Sequence, residues 1–295
     1  MGETVRADAE LSAAVQQEDG AVLHTTAGTT VSWAALHLLA ERGFRWAPEA
    51  AHSTAPQLGR RLHVDLVIEH DPAPGILLGV ASSRFVGHAF GAVPRFALVE
   101  DGEAITPDRL TLAAERRSPQ DALFVVTTRE RPVLGGVLVV QRAADVVLET
   151  LRCTIAVPPE GDGALHAGLE AGLRSVMHGH HARSARFALS RGRTDGVVDT
   201  AVAGPPAPFG VYSAGRAARA HEAAADSAGS PHRVLVVGSE RGVVSWFPGS
   251  ERERWAAAAV LVERLQERRS RAAHASDLRA EGGSGEHGTR VGGER

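Results

Sequence analysis

Three short clusters in the sequence contain side chains that could do chemistry. The run His178-Gly179-His180-His181 groups imidazoles that could bind zinc or nickel, Glu69-His70-Asp71 places an imidazole between two carboxylates, and Ser82-Ser83 offers hydroxyl groups. The histidines end a predicted helix, where cationic side chains are favourable in any case. Successive strand residues face opposite ways, so His70 cannot engage both carboxylates, and the serines lack a Gly-x-Ser-x-Gly elbow. We therefore predict no catalytic residue and no metal site here.

Composition narrows the class of protein further. The chain has 295 residues and a net charge of −3, whereas nucleic-acid binders need clustered positive charge. Its single cysteine, Cys153, cannot form an intramolecular disulfide and fits a reducing cytoplasm. No segment has the ~18 uninterrupted apolar residues of a membrane helix, and residues 1–20 lack the basic and apolar regions of a signal peptide. We expect a cytoplasmic protein without cofactor, nucleic-acid partner or membrane insertion.

The sequence contains one pattern of elements twice. Residues 95–107 are typical of a strand, a tight turn at Asp101-Gly102, a second strand and the start of a helix. Residues 233–248 repeat this order, and Ser250 can cap the helix that follows. A duplicated unit with no catalytic signature in either copy favours a scaffold or binding surface over an enzyme.

Alternating apolar and polar residues predict the remaining strands. The clearest runs are residues 63–69 and 185–190. At residues 118–128 a helix-opening signal, Ser118-Pro119, conflicts with a β-branched run that favours a strand, and both readings stay open. The other predicted strands are residues 76–81, 84–90, 137–140, 196–203 and 209–213.

Helices are predicted where apolar residues recur every three or four positions. The stripe Leu165, Leu169, Leu173 and Val176 predicts a helix over residues 164–178. In the last helix, the side chains expected to face inward are Trp255, Ala258, Val262 and Leu265. Further helices are predicted over residues 32–42 and 143–152, while residues 214–231 form either a long loop or a weak helix.

Together these elements predict an α+β fold with two quasi-symmetric halves, each a mainly antiparallel sheet with flanking helices. The Pro/Gly-rich residues 158–163 separate a first half, residues 31–157, from a second half, residues 164–269. Residues 1–30 are predicted to be an N-terminal lead-in. Residues 270–295 are rich in Arg, Gly, Glu and Ser and are predicted to be a disordered tail.

Short segments in both halves carry a resemblance to a known family. In the first half they are Leu38-Leu-Ala-Glu-Arg-Gly43, Val64-Asp-Leu-Val-Ile68, Gly75-Ile-Leu-Leu-Gly-Val-Ala81 and Phe96-Ala-Leu-Val-Glu-Asp-Gly102. In the second half they are Ala185-Arg-Phe-Ala-Leu-Ser-Arg-Gly192, Gly196-Val-Val-Asp-Thr200 and Gly242-Val-Val-Ser-Trp-Phe-Pro-Gly249. Together they resemble the EspG family, the cytoplasmic specificity factors of type VII (ESX) secretion in actinobacteria.

The resemblance implies a non-enzymatic chaperone or adaptor. Such a protein would bind a helical secretion substrate of the PE–PPE type, shield its apolar tip and deliver it to the secretion machinery. Binding of this kind needs an exposed apolar patch on a sheet and helix face. Aromatic residues anchor such interfaces, but they fill protein cores as well. The residues we expect to bind the partner are His70, Asp71, Phe209, Tyr212, Trp246 and Phe247.

Two alternatives stay open. In the first, the protein is an enzyme or a small-ligand binder whose site lies in the cleft between the two halves, near His178–His181 or Glu69-His70. In the second, it is a symmetric structural module that forms homodimers through its sheet edges. A large exposed apolar patch favours the adaptor, a deep cleft lined by titratable groups favours the enzyme, and concentration-dependent dimerisation favours the module.

Overall fold

A large antiparallel sheet forms the centre of the fold. The computed structural model describes residues 22–24, 30–32 and 58–282, except residues 74, 99–103, 129–131, 133, 144, 158–160 and 194–205. Strands β1 (Val22–His24) and β2 (Thr30–Ser32) pair with each other. The strands of the large sheet are β3 (Leu58–His70), β4 (Arg95–Leu98), β5 (Ala104–Ile105), β6 (Ala122–Thr127), β7 (Leu134–Arg142), β8 (Val147–Val157), β9 (His181–Arg193), β10 (Ala207–Ala214), β11 (His232–Val237) and β12 (Glu240–Trp246).

The strand order joins both parts of the chain in one sheet. It runs β11-β12-β10-β9-β3-β8-β7-β6-β4-β5, and every described pairing is antiparallel. The predicted α+β class with an antiparallel sheet is confirmed. The strands of the two predicted halves do not form separate sheets, because β3 pairs with β8 on one side and with β9 on the other.

The described helices pack on both faces of the sheet. They are α1 (Val80–Phe90), α2 (Pro107–Arg117), α3 (Asp162–Met177), α4 (Gly215–Ala228) and α5 (Glu251–Gly282). Helices α1 and α3 pack closely on the first face, where a Cβ at Gly172 would lie 2.9 Å from Phe85. Helices α4 and α5 pack on the second face, over β10, β11 and β12. None of the described helices is both long and apolar enough to cross a membrane.

Cross-strand register assigns each side chain to a face. Trp246 stacks on His166 of α3 and so faces the first side, while Ser245 hydrogen-bonds to His221 of α4 and faces the second. Two rows of directly paired residues therefore cross the sheet. The first-face row is Trp246, Gly210, Phe187, Val64, Cys153, Gly136 and Val126, and the second-face row is Ser245, Val211, Arg186, Asp65, Arg152, Val137 and Val125.

The repeated pattern of the sequence lies at the two opposite edges of the sheet. One copy forms β4, β5 and α2, and the other forms β11, β12 and α5. The predicted turn at Asp101-Gly102 lies outside the described residues, as do strand 196–203 and residues 33–42 of the predicted helix; Ser32, its predicted cap, ends strand β2. Residues 118–128 contribute strand β6, and residues 214–231 contain helix α4.

Several predicted elements were wrong. Residues 76–81 and 84–90 are not two strands, because a loop leads into α1. Residues 143–152 are not a helix, because β8 begins at Val147. The four-residue spacing of Val147 and Leu151 fits a strand as well as a helix, so it could not distinguish them. Helix α5 continues past residue 270, the predicted start of the tail, to Gly282.

Candidate functional site

A fully buried carboxylate lies at the start of α1. Glu149 on β8 has no exposed surface and accepts hydrogen bonds from the backbone N–H groups of Gly79 (2.9 Å) and Ser82 (3.2 Å) and from the Ser82 hydroxyl. Burial by itself raises the pKa of Glu149, but the hydrogen bond and charge of His70, with the bonds from Ser82 and Gly79, outweigh it and lower the pKa. The carboxylate thus caps α1, whose N-cap residue Gly79 has no side chain to do so.

The predicted partner-binding residues His70 and Asp71 lie in different environments. His70 is 5% exposed, and its Nε2 lies 3.2 Å from the carboxylate of Glu149. His180 packs edge-on against its ring, at 5.2 Å between ring centroids. Asp71 is exposed in the following loop. A partner could reach Asp71, whereas His70 is already engaged inside the protein.

The four predicted aromatic residues lie in the core. The exposed fractions are 0% for Phe209 and Tyr212, 5% for Trp246 and 3% for Phe247. The reading of these residues as core is confirmed. Their role in partner binding stays a prediction, and it would require these rings to become exposed.

Helix α3 presents a line of polar groups to the sheet next to these aromatic rings. Asp162 binds Arg60 of β3, and its other oxygen accepts a 2.9 Å hydrogen bond from Arg254 of α5. Burial raises the pKa of Asp162, but Arg60 and then Arg254 more than compensate, so the pKa is lowered. One turn on, His166 stacks against Phe209 and Trp246 at centroid distances of 4.6 and 4.3 Å.

The next turn of α3 carries a second buried carboxylate. Glu170 is 3% exposed and accepts a 3.2 Å hydrogen bond from the indole N–H of Trp246. Its other oxygen lies 3.4 Å from Arg233 on β11 and 3.7 Å from Arg174. The carboxylates of α3 therefore tie this helix to β3, β11, β12 and α5.

Beside Asp162, three arginines line a hollow of about 240 Å³. Arg60 and Arg191 are directly paired across β3 and β9, and Arg254 comes from the first turns of α5. We call this site the arginine hollow; its lining residues are Arg60, Leu189, Ser190, Arg191, Ala207, Gly249, Glu251 and Arg254. Sequence reasoning missed it, because its cations are distributed over distant segments of the chain.

Helix α5 exposes apolar side chains on one flank. Leu261 is 1% exposed and packs toward α4, whereas Trp255 and Val262 are 49% and 51% exposed. The prediction that Trp255 and Val262 face inward was therefore wrong. The positions that face inward are the buried Arg254 and Leu261 and the partly buried Leu265, which follow the same helical period but lie on a different side of the helix.

This apolar flank lies beside a part of the sheet on which none of the described helices packs. Arg268 of α5 hydrogen-bonds to Ala223 of α4, which places α4 on one side of α5. At 100° per residue, Trp255 and Val262 lie on the other side, toward β9 and β3. We call this region the docking groove; its wall is Trp255, Ala259 and Val262, and its floor is Arg186, Asp65, Arg152, Val67 and Leu148.

Each of the three clusters first considered for chemistry contributes one residue, His180, His70 or Ser82, to the network around Glu149. No group of three or more His, Cys, Asp or Glu residues within the described ranges could hold a metal ion. In the histidine run, His180 packs on His70, and His181 pairs with Glu240 at 2.9 Å. The Ser82 hydroxyl is buried and donates to Glu149. A second hollow of about 430 Å³ lies along α1, beside Ser83 and His88.

Comparison with known proteins gives a family for most of the chain. No curated protein matches it. Among solved structures, a Pseudomonas aeruginosa T6SS protein, PA0821, is similar at 11% sequence identity with a TM-score of 0.41, over 78% of this chain and 81% of that one. The family model described as DUF6177, C-terminal domain, matches residues 61–267. Those residues include strands β4 to β12, helices α1 to α4 and most of β3, so the chain belongs to the DUF6177 C-terminal domain family.

Proposed function

We propose that this protein is a non-enzymatic adaptor that binds an amphipathic helix of a partner protein in the docking groove. The observation that carries the proposal is the exposed apolar flank of α5 beside a part of the sheet that no described helix packs on. Large apolar side chains next to each other at a surface mark interaction sites more often than single ones do. Trp255 is the strongest anchor, because tryptophan is enriched among residues that carry binding energy.

The shape of the groove favours a helix as its occupant. Helices α4 and α5 form a layer on this face of the sheet, and the groove is the next position in that layer. Neighbouring helices pack with axes ~8–10 Å apart. Ala259 lies between Trp255 and Val262 on the wall, so a partner backbone can approach α5 closely there.

The charge of the floor indicates which kind of helix fits. In the cross-strand row, Asp65 lies between Arg186 and Arg152, and its carboxylate is 3.7 Å from the Arg152 guanidinium. Two cations around one anion leave the row with a net positive charge. An amphipathic helix with an apolar face and an acidic flank is complementary to this floor.

A finer form of the proposal follows from the resemblance to EspG. In it, the protein acts in the cytoplasm and the occupant is a helical type VII secretion substrate of the PE–PPE type. The resembling segments support this form, and the docking groove offers the sheet-and-helix surface that it needs. Co-purification with PE–PPE proteins from the same genome tests it. Stoichiometric binding of an unrelated acidic helix would retain the adaptor and exclude this substrate class.

Site-specific photo-crosslinking tests the adaptor itself. A photoreactive amino acid replaces Ala259 in the full chain, expressed in cells that naturally carry the gene, and Arg219 on the exposed surface of α4 is the matched control position. We expect an adduct at position 259 whose linked peptide is an amphipathic helix with an acidic flank. Absence of an adduct, or the same adducts at both positions, contradicts the proposal.

Affinity measurements with the captured helix then test the geometry. V262D introduces a charge into the exposed wall and should weaken binding at least about tenfold, while leaving the melting temperature unchanged. R152E should weaken binding and flatten its salt dependence, because it removes a cation from the floor. Unchanged affinity in both variants would place the helix elsewhere. Homodimer formation stays a prediction, and sedimentation of the chain without a partner tests it.

A further inference from the structure

We propose that the arginine hollow is a binding site for a small oxyanion, a phosphate or a carboxylate group. The site lies near Asp162, on the α3 side of the sheet, whereas the docking groove lies on the other face. The inference is therefore independent of the adaptor proposal.

Paired like charges are the first observation. Arg60 and Arg191 lie directly opposite each other on adjacent strands. Like charges in this position repel each other and destabilise a sheet unless an anion lies between them. Asp162 pairs with both Arg60 and Arg254, and it thereby holds Arg254 next to the paired arginines.

The second observation is a buried donor in the wall of the hollow. Arg254 is 9% exposed, its guanidinium lies 5.3 Å from the centre of the Phe209 ring, and one of its NH2 groups binds Asp162. No described residue accepts a hydrogen bond from its buried Nε. A guanidinium fixed by stacking and by one ion pair is a preorganised element for planar oxyanions.

The backbone adds a third favourable contribution. Gly249 and Glu251, at the start of α5, both line the hollow. The first turn of α5 carries a partial positive charge that favours anions. The Glu253 carboxylate already accepts a 2.6 Å hydrogen bond from the Ser250 N–H. The Glu251 carboxylate is exposed and can turn toward solvent, whereas the backbone N–H groups are fixed. At about 240 Å³, the hollow has room for a small anion but not for a large organic ligand.

Calorimetric titration of the full chain with inorganic phosphate tests the site. Acetate is titrated in parallel, and both titrations are made at constant ionic strength against sodium chloride. Saturable binding of phosphate alone identifies a phosphoryl ligand, and saturable binding of acetate alone identifies a carboxylate. Binding of both supports the shared oxyanion chemistry. Heats no larger than those of chloride for both anions overturn the proposal.

Variants of the exposed Arg191 locate the binding. R191Q should weaken binding about tenfold, since it removes one charged donor, and R191K should have an intermediate effect because it keeps the charge without the planar fork. R219Q on α4 is the control and should bind like the wild type. Equal affinity of R191Q and wild type would overturn the assignment. Arg191 is exposed, so the melting temperature should confirm that its variants are folded.

Discussion

Glu149 lies beside the first turn of α1, and Asp162 belongs to the first turn of α3. Protein encloses Glu149, whereas solvent reaches Asp162. Glu149 has no exposed surface, and its partners are a histidine, a serine and two backbone N–H groups. The Asp162 side chain is 35% exposed, and its partners are Arg60 and Arg254, next to a third arginine. The two carboxylates show how similar local chemistry can serve different purposes.

The two sites differ in whether solvent-accessible space lies beside the paired carboxylate. The donors around Glu149 point at its oxygens, and the site is closed, so its charge can only stabilise the fold. Two arginines, Arg60 and Arg254, share Asp162, and a hollow opens beside them. A closed polar network can only affect stability, whereas a network that borders a solvent-accessible hollow can also bind a ligand.

The largest effect should come from breaking the closed network. E149Q removes the charge while keeping the shape, and its amide NH2 would meet donors where the carboxylate accepts hydrogen bonds. We expect the free energy of unfolding to fall by about 3 kcal/mol, since an uncompensated buried group remains. Urea unfolding measures it. E263Q, at an exposed position of α5, is the control and should change stability by less than about 0.5 kcal/mol. A loss as small as that of E263Q would mean that Glu149 does not cap α1.

A second closed site should make stability depend on pH. His221 is 1% exposed, and its Nε2 lies 2.9 Å from the Ser245 hydroxyl. Burial, and secondarily the charge of His232, lowers the pKa of His221 to about 4. The unfolded chain, with an ordinary histidine pKa of ~6.5, therefore binds the proton first as the pH falls. Stability present above pH 6.5 is lost progressively toward pH 4.

The size of this pH effect can be isolated by substitution. Between pH 7 and pH 5, His221 should account for about 2 kcal/mol of lost stability. H221Q should be less stable at pH 7 because it disturbs a buried site, but its stability should fall less steeply toward pH 5. H88Q, at an exposed position, is the control and should keep the steep slope. The same slope in H221Q and wild type would mean that His221 is not the group responsible.

Sequence reasoning found the strands better than it found these sites. The alternating residues of β3 and β9 and the stripe of α3 could be predicted, because each pattern is local. Helix α1 was missed, since its cap comes from Glu149, 70 residues away from Gly79. Local sequence signals for the start and end of a helix cannot reveal a cap that a residue on another strand supplies.

The candidate sites needed the register of the sheet as well. Arg60 and Arg191 become neighbours only because β3 pairs with β9, and Arg254 joins them only because α5 starts there. The apolar flank of α5 could be seen as a periodic stripe, but periodicity alone did not say which flank packs inward. For the aromatic residues 209, 212, 246 and 247, most of the strands were predicted, but the sequence left open whether the rings lie in the core or at an interface.

The open carboxylate should give a smaller effect that a ligand reverses. D162N removes the carboxylate charge that Arg60 and Arg254 share and should lower stability by about 1 kcal/mol, an amount limited by solvent screening. Phosphate should restore more stability to D162N than it adds to the wild type, because it can take the place of the missing carboxylate charge beside Arg254. Thermal melts with phosphate or chloride at equal ionic strength measure this. Equal phosphate effects in both proteins would separate Asp162 from the arginine hollow.

The smallest effect on stability is expected at the outer flank of α5, where a binding surface costs the fold little. W255A removes a ring that is 49% exposed and should change the free energy of unfolding by less than about 0.5 kcal/mol. L261A, on the inner flank of the same helix, removes a side chain that is 1% exposed and should cost about 3 kcal/mol. Urea unfolding of both variants compares the two flanks within one helix. If W255A cost as much as L261A, Trp255 would belong to the core in solution, and the wall of the docking groove would lose its main anchor.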